Sequence, residues 1–321
     1  MKAAVYTAYG PPEVVRVTEI ARPVPAAHEV LVRVVAATVN RTDAGFRSAE
    51  YVISRFWSGL WKPKIQVLGS DFAGVVASVG KDVTMFNVGD RVFGYNDQTF
   101  GGHGEYLTIA EAGAVATMPA SMSFEQGAAL TEGAHYALCQ LRAARVTPGQ
   151  QVLVYGATGA IGAAAVQLLK AAGATVTAVC NTKNVDLLKT LGADQVIDYQ
   201  TQDFTAVATR FDFVLDAVGK SSFGACKPLL TAKGIYISTE LGQRAENVFL
   251  ALTTPLGGGK RVLFPIPTSS KADVLYLRDL FEKGAFTPVI DRRYPLSEIV
   301  AAYRYVGTGQ KTGNVILQVA A

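Results

Sequence analysis

Residues 152–174 read VLVYGATGAIGAAAVQLLKAAGA, and few stretches of this 321-residue chain leave the backbone fewer choices. An apolar run ends in Gly156, Gly159 and Gly162, and helix-forming alanines and leucines start at once. Gly156 and Ala157 permit a tight turn, Gly159 lets the backbone approach a bound group, and Gly162 allows close packing of helix on strand. A helix start offers free amides and the positive end of a dipole. The turn Gly156, Ala157, Thr158, Gly159, Ala160, Ile161 and Gly162 therefore reads as the pyrophosphate cradle of a dinucleotide. Three spaced glycines also arise from ordinary strand–helix packing. The strand–turn–helix setting, inside a repeated rhythm, favours the cradle.

That rhythm extends in both directions. Strand patterns at 151–156, 175–179, 195–199, 211–219, 234–240 and 261–266 are apolar and short, with helical patterns at 160–172 and 185–192. Alternation of this kind predicts a parallel, doubly wound sheet with helices on both faces. Before residue 122 the pattern is different: 29–40, 72–80, 90–95 and 104–110 are β-branched runs bounded by Gly, Asp or Pro, spaced as in a small barrel or sandwich. A helix opens near Ser123, a plausible N-cap. After 268 come helical patterns at 271–284 and in SEIVAAYRYV, then a last strand, GNVILQV, too far from the nucleotide rhythm to continue it. That strand is expected to return to the N-terminal domain. The expected division is 1–122 with 268–321, and 123–267.

Composition narrows the class. Half of the residues are hydrophobic, 17% are charged and the net charge is +4 without a dense Lys/Arg run, which points to a globular enzyme and away from nucleic acid. Cys139, Cys180 and Cys226 show no CxxC spacing and read as reduced thiols. There is no signal-peptide pattern, and the apolar stretch 151–180 is interrupted by Gln167, Lys170 and glycines. A soluble, cytoplasmic protein without a membrane partner is the expectation.

The second strand of the rhythm ends in AVCNTKN. Asn181 follows Gly156 by 25 residues (181 − 156), close to the roughly 20-residue offset at which dinucleotide folds place a ribose-binding acid. No carboxylate is there. A carboxylate would repel a 2′-phosphate, whereas Thr182 and Lys183 can donate to one, with Asn181 and Tyr199 beside them. The pattern favours NADPH (NADP) over NADH. The plain alternative is that Lys183 is a solvated side chain at a helix start.

The chain resembles the medium-chain dehydrogenase/reductase superfamily, in its zinc-independent, quinone oxidoreductase-like branch. The resemblance runs through VNRTDAGFR, VLGSDFAGVVASVG, VGDRVFG, GGHGEYLTI, the glycine turn, LGADQVIDY, FDFVLDAVG and FTPVIDRRYPLSEIVAAYRYVGTGQKTGNVIL. It implies an α/β fold: a GroES-like, β-rich substrate domain plus a Rossmann nucleotide domain with a doubly wound parallel sheet. It further implies that Asn40 and Thr131 face the nicotinamide end, that Ala217 and Val218 line the cofactor, and that the FPIP segment with Phe264 and Ile266 closes over the carboxamide. Zinc-dependent relatives carry a metal-binding Cys where this chain has Asn40, and His and Glu where it has Ser70 and Asp71. No metal site is expected, because a catalytic zinc needs about three good ligands.

Hydride transfer to a quinone, an enone or alkenal, or a reactive carbonyl then needs mainly positioning and exclusion of water. Asn40 and Tyr51 are the catalytic candidates, Tyr51 as a proton donor. Capping is the competing role for Asn40 and Thr131, and packing or surface exposure for Tyr51. His103, in GGHGEY, reads as a packing residue. The aromatic stretch 51–64 reads as cleft wall or lid, or else as packing. Two other functions stay open: an NAD(P)-dependent alcohol or aldehyde oxidoreductase of this fold, and a non-catalytic NADPH-binding protein. The resemblance also implies a homodimer joined near KRVLFPI, and a small electrophile as substrate.

Overall fold

The computed structural model describes residues 1–50 and 55–320, with the side chains of Phe56 and Trp57 outside the description. The chain forms two compact units, Met1–Glu132 with Ser269–Ala321, and Gly133–Thr268. The passage from the first to the second falls inside the helix Phe124–Ala144, some ten residues beyond the division read from the pattern.

The first unit is built on β1 (Lys2–Val5), β2 (Arg16–Glu19), β3 (Glu29–Val39), β4 (Asp71–Val79), β5 (Arg91–Tyr95), β6 (Tyr106–Ala110) and β7 (Val115–Thr117). β1 and β2 form an antiparallel pair, because Gly10, Pro11 and Pro12 break what would otherwise be one long N-terminal strand. β3 is the organiser. One edge carries β4, while the other is shared between β6 over Glu29–Arg33 and the C-terminal strand over Ala36–Val39. Val30, Val32 and Val34 of β3 join Phe72, Val92, Val115 and Leu317 in one buried core, together with Ile299 and Tyr303.

The second unit contains β8 (Gln151–Tyr155), β9 (Thr175–Cys180), β10 (Gln195–Asp198), β11 (Phe211–Asp216), β12 (Leu230–Ser238) and β13 (Arg261–Leu263). All neighbours are parallel, in the order β10-β9-β8-β11-β12-β13, which is the doubly wound order that reverses direction at β8. Ligands of such sheets bind outside the carboxyl ends of the strands at that reversal. β13 stops at Leu263, short of the apolar run to 266, since Pro265 and Pro267 have no amide for a ladder.

Two strands return to the first unit: β14 (Ile290–Pro295) and β15 (Asn314–Gln318). β15 pairs antiparallel with β3, Val315 opposite Val39, as its isolation from the nucleotide rhythm predicts. β14 had no strand signature, because Asp291, Arg292 and Arg293 mask any alternation. It is a half-exposed edge strand parallel to β15.

Candidate active site

The glycine turn lies between β8 and the helix Ala160–Ala171. Gly156 has φ +73°, a conformation natural to glycine, and a Cβ there would stand 2.5 Å from the Val218 side chain. A Cβ on Gly162 would run into the Gly156 carbonyl, so that glycine sets the closeness of helix and turn. Gly159 is different. Its φ is −69°, and a Cβ there would meet only Gly156 O at 3.8 Å. Gly159 is also the N-cap and supplies no side-chain cap, so the first helix amides lack the partner that a Ser or Asp would provide. Open space over uncapped amides fits a pyrophosphate. The groups that would hold it are the amides following Gly159.

Val218 is held in turn by Asp216, the last residue of β11. Its fully buried carboxylate accepts from the amides of Gly219 (2.8 Å), Ser221 (2.9 Å) and Val218 (3.2 Å), with Tyr236 Oη at 3.3 Å. Burial pushes this carboxyl up, and the amides pull against that shift. The loop carrying Ala217 and Val218 is thus fixed against the turn by one acid. The FDFVLDAVG pattern offered no sign of this role, since it requires knowing that the strand ends at Asp216.

At the tip of β9 the structure gathers Asn181, Thr182, Lys183 and the end of β10. Thr182 Oγ1 donates to Asp198 Oδ2 at 2.6 Å and lies 3.0 Å from Gln200 Oε1, which also accepts from Thr182 N at 3.1 Å. Asn181 Oδ1 accepts from Asn184 Nδ2 at 2.7 Å. Lys183 is exposed and makes no ion pair among the described residues. Tyr199 is exposed, with its amide tied to Cys180 O. Asp198 and Gln200 were not singled out from sequence. Phe264 is half-buried, and exposed Ile266 accepts from Cys139 Sγ at 3.6 Å.

The first unit holds a second polar cluster, centred on fully buried Asp71. Its carboxylate receives Thr131 Oγ1 (2.6 Å), Thr38 Oγ1 (2.7 Å) and Asn40 Nδ2 (3.2 Å). Asn40 does two jobs. Its Oδ1 accepts from Asp43 N at 2.8 Å while Asp43 Oδ2 accepts from Asn40 N, a capping box for the helix Arg41–Ser48. Its Nδ2 lies 3.0 Å from Ser70 Oγ. Asn40 and Thr131, expected to face a cofactor, are therefore buried and committed to Asp71. The N-x-x-D spacing of NRTD already carried the capping signal.

Three acids share this interior. Burial pushes Asp43 up to about 7 and Glu132 up to about 7. Asp71 is raised well above the ordinary range, by burial first and then by Glu132. Glu132 accepts from Thr42 Oγ1 at 3.4 Å, and half-buried Lys311 lowers its carboxyl. His103 is fully buried and burial holds it down at about 4, so its ring is neutral. Its Nε2–H donates to Thr38 O at 2.7 Å, which leaves Nδ1 to accept from Tyr303 Oη at 3.4 Å. The packing role read for His103 matches this position. Tyr51 lies outside the described residues, and Trp61 is exposed.

The positions that correspond to zinc ligands in related enzymes do come together, as Asn40, Ser70 and Asp71. Their atoms are an amide nitrogen without a free lone pair, a hydroxyl and one carboxylate already engaged by four donors, the Ser70 hydroxyl among them at 3.4 Å. That set does not fit a zinc ion. Among the described residues no group of three or more His, Cys, Asp and Glu is gathered to hold a metal.

An uncapped glycine turn at the reversal point of a 3-2-1-4-5-6 sheet, joined to a β-rich unit formed from both chain ends, defines a two-unit nicotinamide-dependent dehydrogenase or reductase fold. Residues 26–120 match the alcohol dehydrogenase GroES-like domain, and residues 191–317 match the zinc-binding dehydrogenase family. A 2-methylene-furan-3-one reductase of Solanum lycopersicum is 33% identical over 99% of this chain and 79% of its own length. An NADPH-dependent alkenal/one oxidoreductase, chloroplastic, of Arabidopsis thaliana is 31% identical over the same shares. The solved quinone oxidoreductase of Coxiella burnetii is 29% identical and superposes with a TM-score of 0.88 over 100% of this chain and 99% of that one. The chain belongs to the quinone oxidoreductase-like branch of the medium-chain dehydrogenase/reductase superfamily. Among the described residues no helix is long and apolar enough to cross a membrane.

Proposed function

We propose that the chain is an NADPH-dependent, zinc-independent reductase of quinones and α,β-unsaturated carbonyl compounds. The observation that carries this reading is the tip of β9: the strand runs out into Asn181 and Thr182 rather than an acid, the nearby Asp198 carboxylate is engaged by Thr182, and Lys183 is exposed and unpaired among the described residues. The relatives named for furanone, alkenal and quinone reduction support the acceptor class. The bound nicotinamide supplies a hydride, and one further proton completes either a saturated carbonyl or a hydroquinone. This chain's part is to seat the pyrophosphate on the amides after Gly159, to hold Val218 against the turn through Asp216, and to meet the 2′-phosphate with Lys183. The proton is drawn from the Tyr51 hydroxyl or from water. Asn40, Thr131 and Asp71 form the scaffold of the substrate unit, with no metal ligand among them.

The test is cofactor-resolved binding. Lys183→Ala removes a charge-assisted contact, so the NADPH Kd should rise roughly 10-fold to 100-fold while NADH changes little. Equal loss for both cofactors sinks the 2′-phosphate assignment. Turnover of NADPH with a quinone and an alkenal, and none of NADP with a simple alcohol, is expected; the reverse pattern would establish an alcohol oxidoreductase instead. Saturable binding without any turnover would establish a binding protein.

The same reading includes a homodimer through the outer edge of β13, which pairs with no further strand among the described residues. Phe249, Leu252 and Leu256 stand 65%, 72% and 88% exposed on the segment just before that edge strand. Unpaired strand edges and exposed apolar side chains are what a second copy covers.

A further inference from the structure

At the tip of β9 the Thr182 donors are not free. The backbone N–H donates to Gln200 Oε1 at 3.1 Å, and the hydroxyl stands between Gln200 Oε1 at 3.0 Å and Asp198 Oδ2 at 2.6 Å. A hydroxyl has a single proton, and the shorter contact to a charged acceptor claims it. Gln200 Oε1 is thus the acceptor that serves the Thr182 amide. Asp198 keeps it there, because its other oxygen accepts from Gln200 N at 3.0 Å and turns the chain back toward β9. Gln200 is exposed, and among the described residues its side chain makes no other hydrogen bond.

An amide oxygen and a phosphate oxygen make the same demand of a backbone N–H. Both are acceptors at about 2.9 Å, and they cannot share the position. Lys183, one residue on and without an ion pair among the described residues, is a cation that favours the phosphate. We propose that Gln200 is the cofactor-discriminating residue of the nucleotide site: its side-chain oxygen occupies the acceptor position on Thr182 that the 2′-phosphate of NADPH takes. NADPH displaces it. NADH carries a hydroxyl there and leaves it in place. The inference rests on the 2′-phosphate reading at Lys183. It adds that part of the attraction of Lys183 is spent on breaking the Gln200 contact.

Equilibrium titration by ligand fluorescence tests this without turnover. Gln200→Ala should tighten NADPH roughly threefold to tenfold, the net worth of one neutral hydrogen bond, and leave the NADH Kd within about twofold. Gln200→Glu places a stronger acceptor and a like charge at the position, and should weaken NADPH at least tenfold with NADH little changed. If Gln200→Ala weakens NADPH or leaves it unchanged, or tightens both cofactors alike, the proposal is overturned. Lys183→Ala keeps the two ideas apart. Selective loss of NADPH in that variant, with no gain in Gln200→Ala, removes the Gln200 assignment alone. Equal loss of both cofactors in Lys183→Ala removes the 2′-phosphate site itself.

Discussion

The two outer-turn glycines, Gly156 and Gly159, look alike in sequence and should respond oppositely to one added methyl group. At Gly156 the backbone is at φ +73°, so an L-residue costs about 1–2 kcal/mol. The new Cβ would also stand 2.5 Å from Val218, a stiff β-branched side chain held by Asp216, and overpacking of this kind costs about 1–3 kcal/mol. Gly156→Ala is therefore expected to lose about 2–5 kcal/mol of unfolding free energy. Adding Val218→Ala removes the collision and leaves the backbone strain, so the double variant should recover about 1–3 kcal/mol. At Gly159 a Cβ meets nothing closer than 3.8 Å, and the exchange costs under about 1 kcal/mol, mostly through a poorer N-cap. The methyl group would nevertheless stand where the pyrophosphate must approach, and a misfit of about 1–3 kcal/mol weakens NADPH roughly 5-fold to 150-fold. Denaturant unfolding without cofactor gives the first pair of numbers, and fluorescence titration gives the second. A Gly159→Ala variant that binds NADPH like the parent would show that the anion does not sit over that glycine. A double variant no more stable than Gly156→Ala would show that Val218 is not what confines the turn.

Other expectations are shorter to state. Asp43 and Glu132, at about 7, bind protons in the folded state that they have released when unfolded, so their stabilising contribution is present below about pH 4 and lost as pH rises toward 7. His103, held at about 4, works in the opposite sense below about 6.5, and the two acids outweigh it. The melting temperature should fall by several degrees between pH 5 and pH 8, with a shallower fall in Glu132→Gln; a profile that is flat or rises refutes the buried-acid picture. Leu256→Glu with Phe249→Ser should shift the sedimentation coefficient to that of a single copy at unchanged melting behaviour, and an unshifted coefficient would place any subunit contact elsewhere.

The parallel sheet was legible in sequence because its strands are short, mostly apolar and set in an alternation with helices, with charges such as Asp212 and Lys233 too sparse to hide the pattern. β14 was not, since Asp291, Arg292 and Arg293 hide an edge strand whose partner, β15, supplies the apolar half. The glycine turn could be read residue by residue, because each glycine answers to a local steric demand. Asp216, Asp198 and Gln200 could not. Their roles depend on where strands stop and on which strand end lies beside which, and neither is written in the local pattern. Thr182 shows the same limit: its residue type suggested a donor to a ligand, whereas the structure gives its proton to Asp198. Asn40 shows the opposite case, for the capping box that occupies it was present in the NRTD spacing from the start.

The pairing of β3 with β15 also sets the order in which this protein can be completed during synthesis. The Ala36–Val39 edge of β3 leaves the ribosome early, while its partner residues Val315–Gln318 are translated nearly 280 residues later. In the interval the whole nucleotide unit emerges and can fold by itself, since all six of its strands are contiguous in the chain. The first unit to be made is thus the last to close, with an apolar strand edge open throughout. Slow translation or truncation near the C-terminus should leave a nascent chain able to bind nucleotide, yet dependent on chaperones for its unfinished N-terminal half.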